Sequence, residues 1–207
     1  MRSLVVVLVA AVAVFLGGVW YVTRPDPAGD DRFASCRKTQ VAGGAGSIGG
    51  PFELINAQGQ AVTDRDVITE PSIVYFGYTF CPDVCPMDSA RNADAVDILA
   101  ERGISTTPIF ISVDPKRDTP QAVGDFAFNM HEKMIGLTGT PQQVQAASAA
   151  YRTYYKAHTD EDDEYYLVDH STFSYLVLPE HGFVEFFRRE ASAKEMADSV
   201  ACFVNQL

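Results

Sequence analysis

Residues Ser72 to Thr79 read SIVYFGYT, a β-branched and aromatic run with almost no polar break. A half-buried strand would alternate apolar and polar residues; an unbroken run of this length predicts a strand covered on both faces. Such a strand needs neighbours on both edges and a packed layer above and below, which restricts the chain to layered α/β architectures. Thr107 to Val113 (TPIFISV) is a second run of the same kind. Between them, Pro86 to Arg102 carries Ala90, Ala93, Val96, Leu99 and Ala100 at helical spacing, and Gly103 ends the helix.

The rest of the pattern extends this unit. Residues 51–63 (PFELINAQGQAVT) predict a short hairpin around Gln58 and Gly59. Thr119-Pro120 and Thr140-Pro141 each place an N-cap before a proline at the first helical position. They open helices predicted to reach about Met130 and about His158, with a short extended piece, Met134 to Thr138, between them. Phe173 to Leu178 and Phe183 to Arg188 flank Pro179-Glu180-His181-Gly182 as an antiparallel hairpin, and Ser192 with Glu195 forms a capping box for a last helix. Alternation followed by a hairpin and a helix predicts a thioredoxin-like mixed sheet flanked by helices.

The N-terminus has a different character. Leu4 to Val22 is uncharged, follows Arg2 and ends at Trp20-Tyr21, long enough for a helix crossing a hydrocarbon layer of about 30 Å with aromatics at its boundary. A cleaved signal peptide would need a shorter apolar core and small residues after it, and Val19 to Val22 does not supply them. The expected organisation is a transmembrane anchor over 1–23, a flexible tether over 24–50 rich in Gly, Pro and charge, and a domain over 51–207. The slight charge bias leaves the N-terminus cytoplasmic and exports the domain. The net charge of −11, with no basic stripe, excludes nucleic acid as a partner. An oxidising compartment permits two disulfides from four cysteines; Cys36 in the tether and Cys202 in the last helix are one candidate pair.

The other two cysteines stand where the buried strand gives way to a helix, in Cys81-Pro82-Asp83-Val84-Cys85-Pro86. If the helix has already begun, positions four apart face the same way with Cβ atoms about 5–6 Å apart. That spacing suits two thiolates on one metal ion and, with adjustment, a disulfide. The helix N-terminus favours thiolate in either case. A thioredoxin-type redox motif has one residue fewer between its cysteines. Two soft thiolates suit Cu(I) with an imidazole as third partner, whereas structural zinc would want four ligands. Of the four histidines, His131, His158 and His181 fall at helix ends and turns. His170 precedes the strand FSYLVL, whose entering loop reaches the cysteine end of a thioredoxin-like sheet, with Asp169 as a candidate orienting acceptor.

Three separated motifs in order, FGYTFCPDVCP, ISVDPKRDTP and VDHSTFSYLVL, resemble the Sco family (also SenC or PrrC) of membrane-tethered, thioredoxin-like copper-binding proteins. The resemblance covers residues 50 to 206. It implies that Cys81, Cys85 and His170 bind copper, as Cu(I) or Cu(II), one ion per chain. It further implies an assembly role in which copper passes to the CuA site of cytochrome c oxidase subunit II. Other periplasmic copper chaperones or thiol reductases would be further partners. The expected location is a bacterial inner membrane with the domain in the periplasm. The catalytic alternative is a thiol–disulfide oxidoreductase acting on the recipient's cysteines, with Cys81 and Cys85 as attacking and resolving thiols. A peroxidase and a copper or redox sensor are further alternatives. Asp83, Asp114 and Asp118 read as helix-start, turn and N-cap residues, and Lys116 with Arg117 as a small positive patch.

Overall fold

The computed structural model describes residues 12–21, 32–41, 44–159 and 165–207. The chain divides into two compact units, Met1–Ala34 and Ser35–Leu207. In the first, residues 12–21 are helical. No helix among the described residues is long and apolar enough to cross a membrane, and most of the expected anchor lies outside them.

The second unit is built on a seven-stranded mixed sheet. Its strands are β1 (Glu53–Asn56), β2 (Ala61–Thr63), β3 (Ser72–Gly77), β4 (Thr107–Ser112), β5 (Ile135–Thr138), β8 (Ser174–Leu178) and β9 (Gly182–Phe187), in the order β2-β1-β5-β4-β3-β8-β9. Strands β3, β4 and β5 run parallel; β8 pairs antiparallel with β3, and β9 with β8. All six residues of β3 and of β4 are buried, as their unbroken apolar runs require of central strands. The helices are α1 (Asp64–Val67), α2 (Val84–Glu101), α3 (Pro120–Met130), α4 (Pro141–Ala150) and α5 (Ala193–Val204).

Alternate residues of β3 serve opposite layers. Tyr75 packs toward Phe110, which meets Phe126 of α3 at 4.4 Å between ring centroids. Phe76 points the other way, to Tyr151 at the end of α4 and Tyr175 of β8. Helices therefore cover both faces, and the β3–α2–β4 and β8–β9–α5 units make the expected thioredoxin-like arrangement.

Two expectations need correction. The helix from Pro141 stops at Ala150, not near His158. Tyr151 is 1% exposed, pulled into the aromatic core, and Arg152 turns the chain at φ 51°. The backbone then becomes strand β6 (Tyr155–Ala157), which pairs antiparallel with β7 (Val168–His170) as a separate two-stranded ribbon. The segment expected to be tether also joins the domain earlier than residue 51. Cys36 is disulfide-bonded to Cys202 of α5. Beyond it, the buried carboxylate of Glu185 accepts from the Lys38 N–H (2.7 Å), the Thr39 N–H (3.3 Å) and the Thr39 hydroxyl. A carboxylate on edge strand β9 thus fastens a strap of backbone that has no ladder of its own.

Candidate metal centre

Strand β3 delivers the first two residues of the site. At Gly77 the packing leaves no room for a side chain: an added Cβ would lie 2.9 Å from Tyr75 Cε1 and 3.0 Å from both Cys85 Sγ and Phe110 Cε2. The chain can leave the sheet here, directly beneath the cysteine, only because this residue is glycine. The loop that follows is clamped from the turn after β4. Asp118 accepts from the Thr79 N–H (3.0 Å), the Thr79 hydroxyl (2.6 Å) and the Ser112 hydroxyl (2.6 Å). Asp118 is thus more than turn chemistry. Burial raises its pKa, opposed by those hydrogen bonds.

Helix α2 begins at Val84, so Cys85 sits in its first turn. Asp83, the N-cap residue, makes no side-chain cap. The Cys81 sulfur stands in instead, accepting the Cys85 N–H at 3.3 Å and satisfying a donor the helix start leaves open. Cys81 is 6% exposed and Cys85 fully buried, and both are free thiols.

The third group arrives from the β6–β7 ribbon. His170 ends β7, opposite Tyr155, and its Nε2 lies 3.3 Å from Cys85 Sγ. Nδ1 donates to the Ser171 carbonyl at 2.9 Å, which leaves Nε2 with its lone pair toward the sulfurs. Tyr75 and Tyr78 meet the imidazole edge-on, at 6.1 and 5.7 Å between centroids, and fix the ring plane. Asp169 does not orient His170. It points outward and pairs with His158 at 2.7 Å, because neighbouring residues of a strand face opposite sides. The backbone carbonyl that takes its place carries no side-chain signal in a sequence.

One donor atom from each of Cys81, Cys85 and His170 lies within 4.8 Å of the others. Three ligands around one ion with bonds of about 2.3 Å would stand about 4 Å apart, so small side-chain rotations close the site. Two sulfurs and one imidazole form a soft donor set, and among the described residues no other group of three such side chains could hold a metal ion. The two thiols are not equivalent. The Cys85 thiol, the N–H groups of Asp83 and Cys85, and His170 pull the pKa of Cys81 down to about 4 against the cost of burial. Burial and the neighbouring Cys81 sulfur push Cys85 up. One sulfur is ready to act as thiolate; the other holds its proton until something displaces it.

Around this triad stand residues the motifs alone did not assign. Asp114 accepts from the Tyr166 hydroxyl (2.6 Å) and from Arg117 (2.5 Å), whose guanidinium stacks 3.6 Å from the Tyr166 ring centroid and 4.9 Å from that of Phe80. Arg117, read from sequence as part of a surface patch, instead ties the cysteine loop to the segment leading into β7.

Residues 40–205 match the SCO1/SenC family. The chain belongs to that family. Protein SenC of Rhodobacter capsulatus is 56% identical over 198 residues, 96% of this chain and 88% of that one. Among solved structures, Arabidopsis thaliana ScoI with copper bound is 41% identical, with a TM-score of 0.72 over 77% of this chain and 99% of that chain. Bradyrhizobium japonicum ScoI with copper bound is 34% identical, with a TM-score of 0.66 over 74% and 98% respectively. A SCO1/SenC chain with this donor triad therefore has copper-loaded relatives of the same fold.

Proposed function

We propose that this chain is a membrane-anchored copper chaperone that delivers copper to the CuA site of cytochrome c oxidase subunit II. One observation carries the reading: two cysteines on a strand-to-helix junction and a histidine from a distant ribbon converge, with Nε2 of the imidazole directed at sulfur. Cys81, Cys85 and His170 would hold one copper ion per chain, and the ion is cargo. Three ligands leave a coordination position through which a recipient's thiolate or imidazole enters before these ligands leave. Cys81, less deeply buried than Cys85 and inclined to ionise, is suited to be exchanged first. Cys85, in the first turn of α2, is the fixed support.

The segments that bear the ligands also expose apolar side chains. Phe80 precedes Cys81, Met87 follows Cys85, and Tyr165 and Leu167 precede His170; all four are exposed. Isolated exposed apolar groups are ordinary, but four on ligand-bearing segments offer a contact face for a protein partner. The apolar sequence from Leu4 to Val22, with Val14, Phe15, Leu16 and Trp20 exposed on the helical residues 12–21, supports an inner-membrane anchor with the domain in the periplasm. Anchoring would raise the effective concentration of the domain at a membrane-bound recipient.

The low pKa of Cys81 beside a resolving Cys85 favours a second reading, thiol–disulfide exchange with the recipient's cysteines. Anaerobic Cu(I) titration of the reduced protein distinguishes the two. Copper delivery requires one ion per chain, with weaker binding in His170→Ala. Dithiol turnover that survives His170→Ala, without stoichiometric copper uptake, would replace delivery by reductase work.

A further inference from the structure

One short turn touches both of the segments that bring sulfur and imidazole together. It runs from Asp114 to Asp118, directly after β4, and is stiffened from within. The Asp114 carbonyl accepts from the N–H groups of Arg117 (3.2 Å) and Asp118 (3.0 Å), and the Ser112 hydroxyl accepts from the Asp114 N–H at 3.0 Å. Asp118, at one end, holds the cysteine loop through Thr79. Asp114, at the other, is 4% exposed and uses both carboxylate oxygens: Oδ1 takes the Tyr166 hydroxyl at 2.6 Å and Oδ2 takes Arg117 Nε at 2.5 Å. Tyr166 is equally buried and lies two residues before β7 and four before His170. The Arg117 guanidinium lies 3.6 Å from the Tyr166 ring centroid and 5.7 Å from that of Tyr78, which itself meets His170.

We infer that Asp114 is a positioning residue for His170: by fixing Tyr166 and Arg117 at the entry to β7, it sets the reach of Nε2 to the two sulfurs. The ribbon needs such a tie. Strands β6 and β7 form a sheet of their own, apart from the seven-stranded one, and two three-residue strands are marginal without outside support. Burial of Val168 in the core holds the ribbon down, but apolar contact is non-directional and leaves it free to slide. Hydrogen bonds to a buried carboxylate are short and directional, so they fix where the strand starts. Because Asp118 holds the cysteine loop from the same turn, the gap between sulfurs and imidazole is set against one stiff piece of backbone. A ligand pinned in advance need not be ordered when the ion arrives, and affinity rises by the ordering it avoids. The inference rests on the copper reading for its affinity measurement and on no metal for its exchange measurement.

Amide hydrogen exchange of the metal-free protein tests the tie itself. It is read at the His158 and Ser171 N–H groups, which close the ribbon on the Leu167 and Tyr154 carbonyls at 2.9 Å each. Tyr166→Phe removes the hydroxyl and leaves the ring beside the guanidinium. Exchange at both amides should rise by about fivefold or more, because a hydrogen bond to a charged acceptor is lost, while the amides of β3 and β4 keep wild-type rates. Anaerobic Cu(I) titration of the reduced protein against a competing chelator then tests the consequence. Asp114→Asn should weaken binding by about tenfold, the scale of an outer partner of a metal ligand, and Tyr166→Phe by about threefold. In a His170→Ala background both losses should shrink to less than about twofold, since residues that act through one another are not additive. A merely structural softening of the site would persist there. Tyr166→Phe keeps every charge and decides the matter if Asp114→Asn does not fold. Unchanged ribbon exchange in folded Tyr166→Phe protein would overturn the inference, as would affinity losses that survive His170→Ala. A wild type that takes up no copper, with exchange still raised in the ribbon of Tyr166→Phe, would refute the delivery reading and leave this one standing.

Discussion

The four cysteines form two pairs that differ in nearly every respect. Cys36 and Cys202 are 166 residues apart, with Cα atoms 5.6 Å apart, and are bonded. Cys81 and Cys85 are four residues apart and free. Proximity along the chain therefore does not decide which thiols cross-link; their surroundings do. The distant pair closes the chain between the strap and the last helix. The near pair is divided by its environment. One sulfur is drawn toward thiolate by the neighbouring Cys85 thiol and by N–H groups at a helix start, the other is fully buried, and His170 lies close to both. The first pair serves stability, and the second presents sulfur for chemistry.

The largest expected effect tests the second half of that contrast. Cys81→Ser or Cys85→Ser should abolish stoichiometric Cu(I) binding in an anaerobic titration while leaving the thermal transition close to wild type. Loss of the fold with the ligand would show that the near pair is structural too.

Cys36→Ser or Cys202→Ser should do the reverse. Opening a bridge across so long a loop removes about 2–5 kcal/mol of stability. At about 2–4 °C per kcal/mol for a domain of this size, calorimetry should record a clearly lower melting temperature with copper stoichiometry still one per chain. A copper site lost with the bridge would break the separation.

A pH series sharpens the asymmetry inside the near pair. Cys81 ionises near 4 in the folded chain, against an ordinary value of 9.0. Between those values the unfolded chain binds a proton that the folded one does not. The stability due to Cys81 is therefore complete above about pH 9 and disappears as the pH falls to about 4. Cys85, shifted upward, has the opposite effect only where the unfolded thiol ionises. Urea midpoints of reduced, metal-free protein at pH 5 and pH 8 should differ more for wild type than for Cys81→Ser. Equal differences would mean that Cys81 is no better a thiolate than Cys85.

The smallest effect concerns the outward pair beside the site. Asp169→Ala removes an exposed contact with His158 and should change copper affinity by about twofold or less. A loss of about 10–100-fold, the scale expected of an outer partner of a metal ligand, would restore Asp169 as the group that orients His170.

Much of the frame was legible in the residues. Unbroken apolar runs marked β3 and β4, the Thr-Pro pairs marked the starts of α3 and α4, and the three motifs marked Cys81, Cys85 and His170. The end of α4 was not legible. Helical spacing continues past Ala150, and it is burial of Tyr151 against Phe52, Phe76 and Tyr175 that turns the chain away. The ribbon carrying His170 was hidden for a related reason: two three-residue strands have too little periodicity to stand out.

Local order, element type and the identity of the donor atoms are properties of short stretches, and the sequence alone determined them. The partners of those atoms were decided only in three dimensions. Ser171 rather than Asp169 holds His170, Asp118 clamps the cysteine loop, Glu185 fastens the strap, and the Tyr75 hydroxyl donates to Asp88. Apart from Ser171, these contacts join residues on separate segments. Whether a polar group meets solvent, a backbone donor or a sulfur depends on which faces the folded sheet brings together, and no local pattern of residue types encodes that.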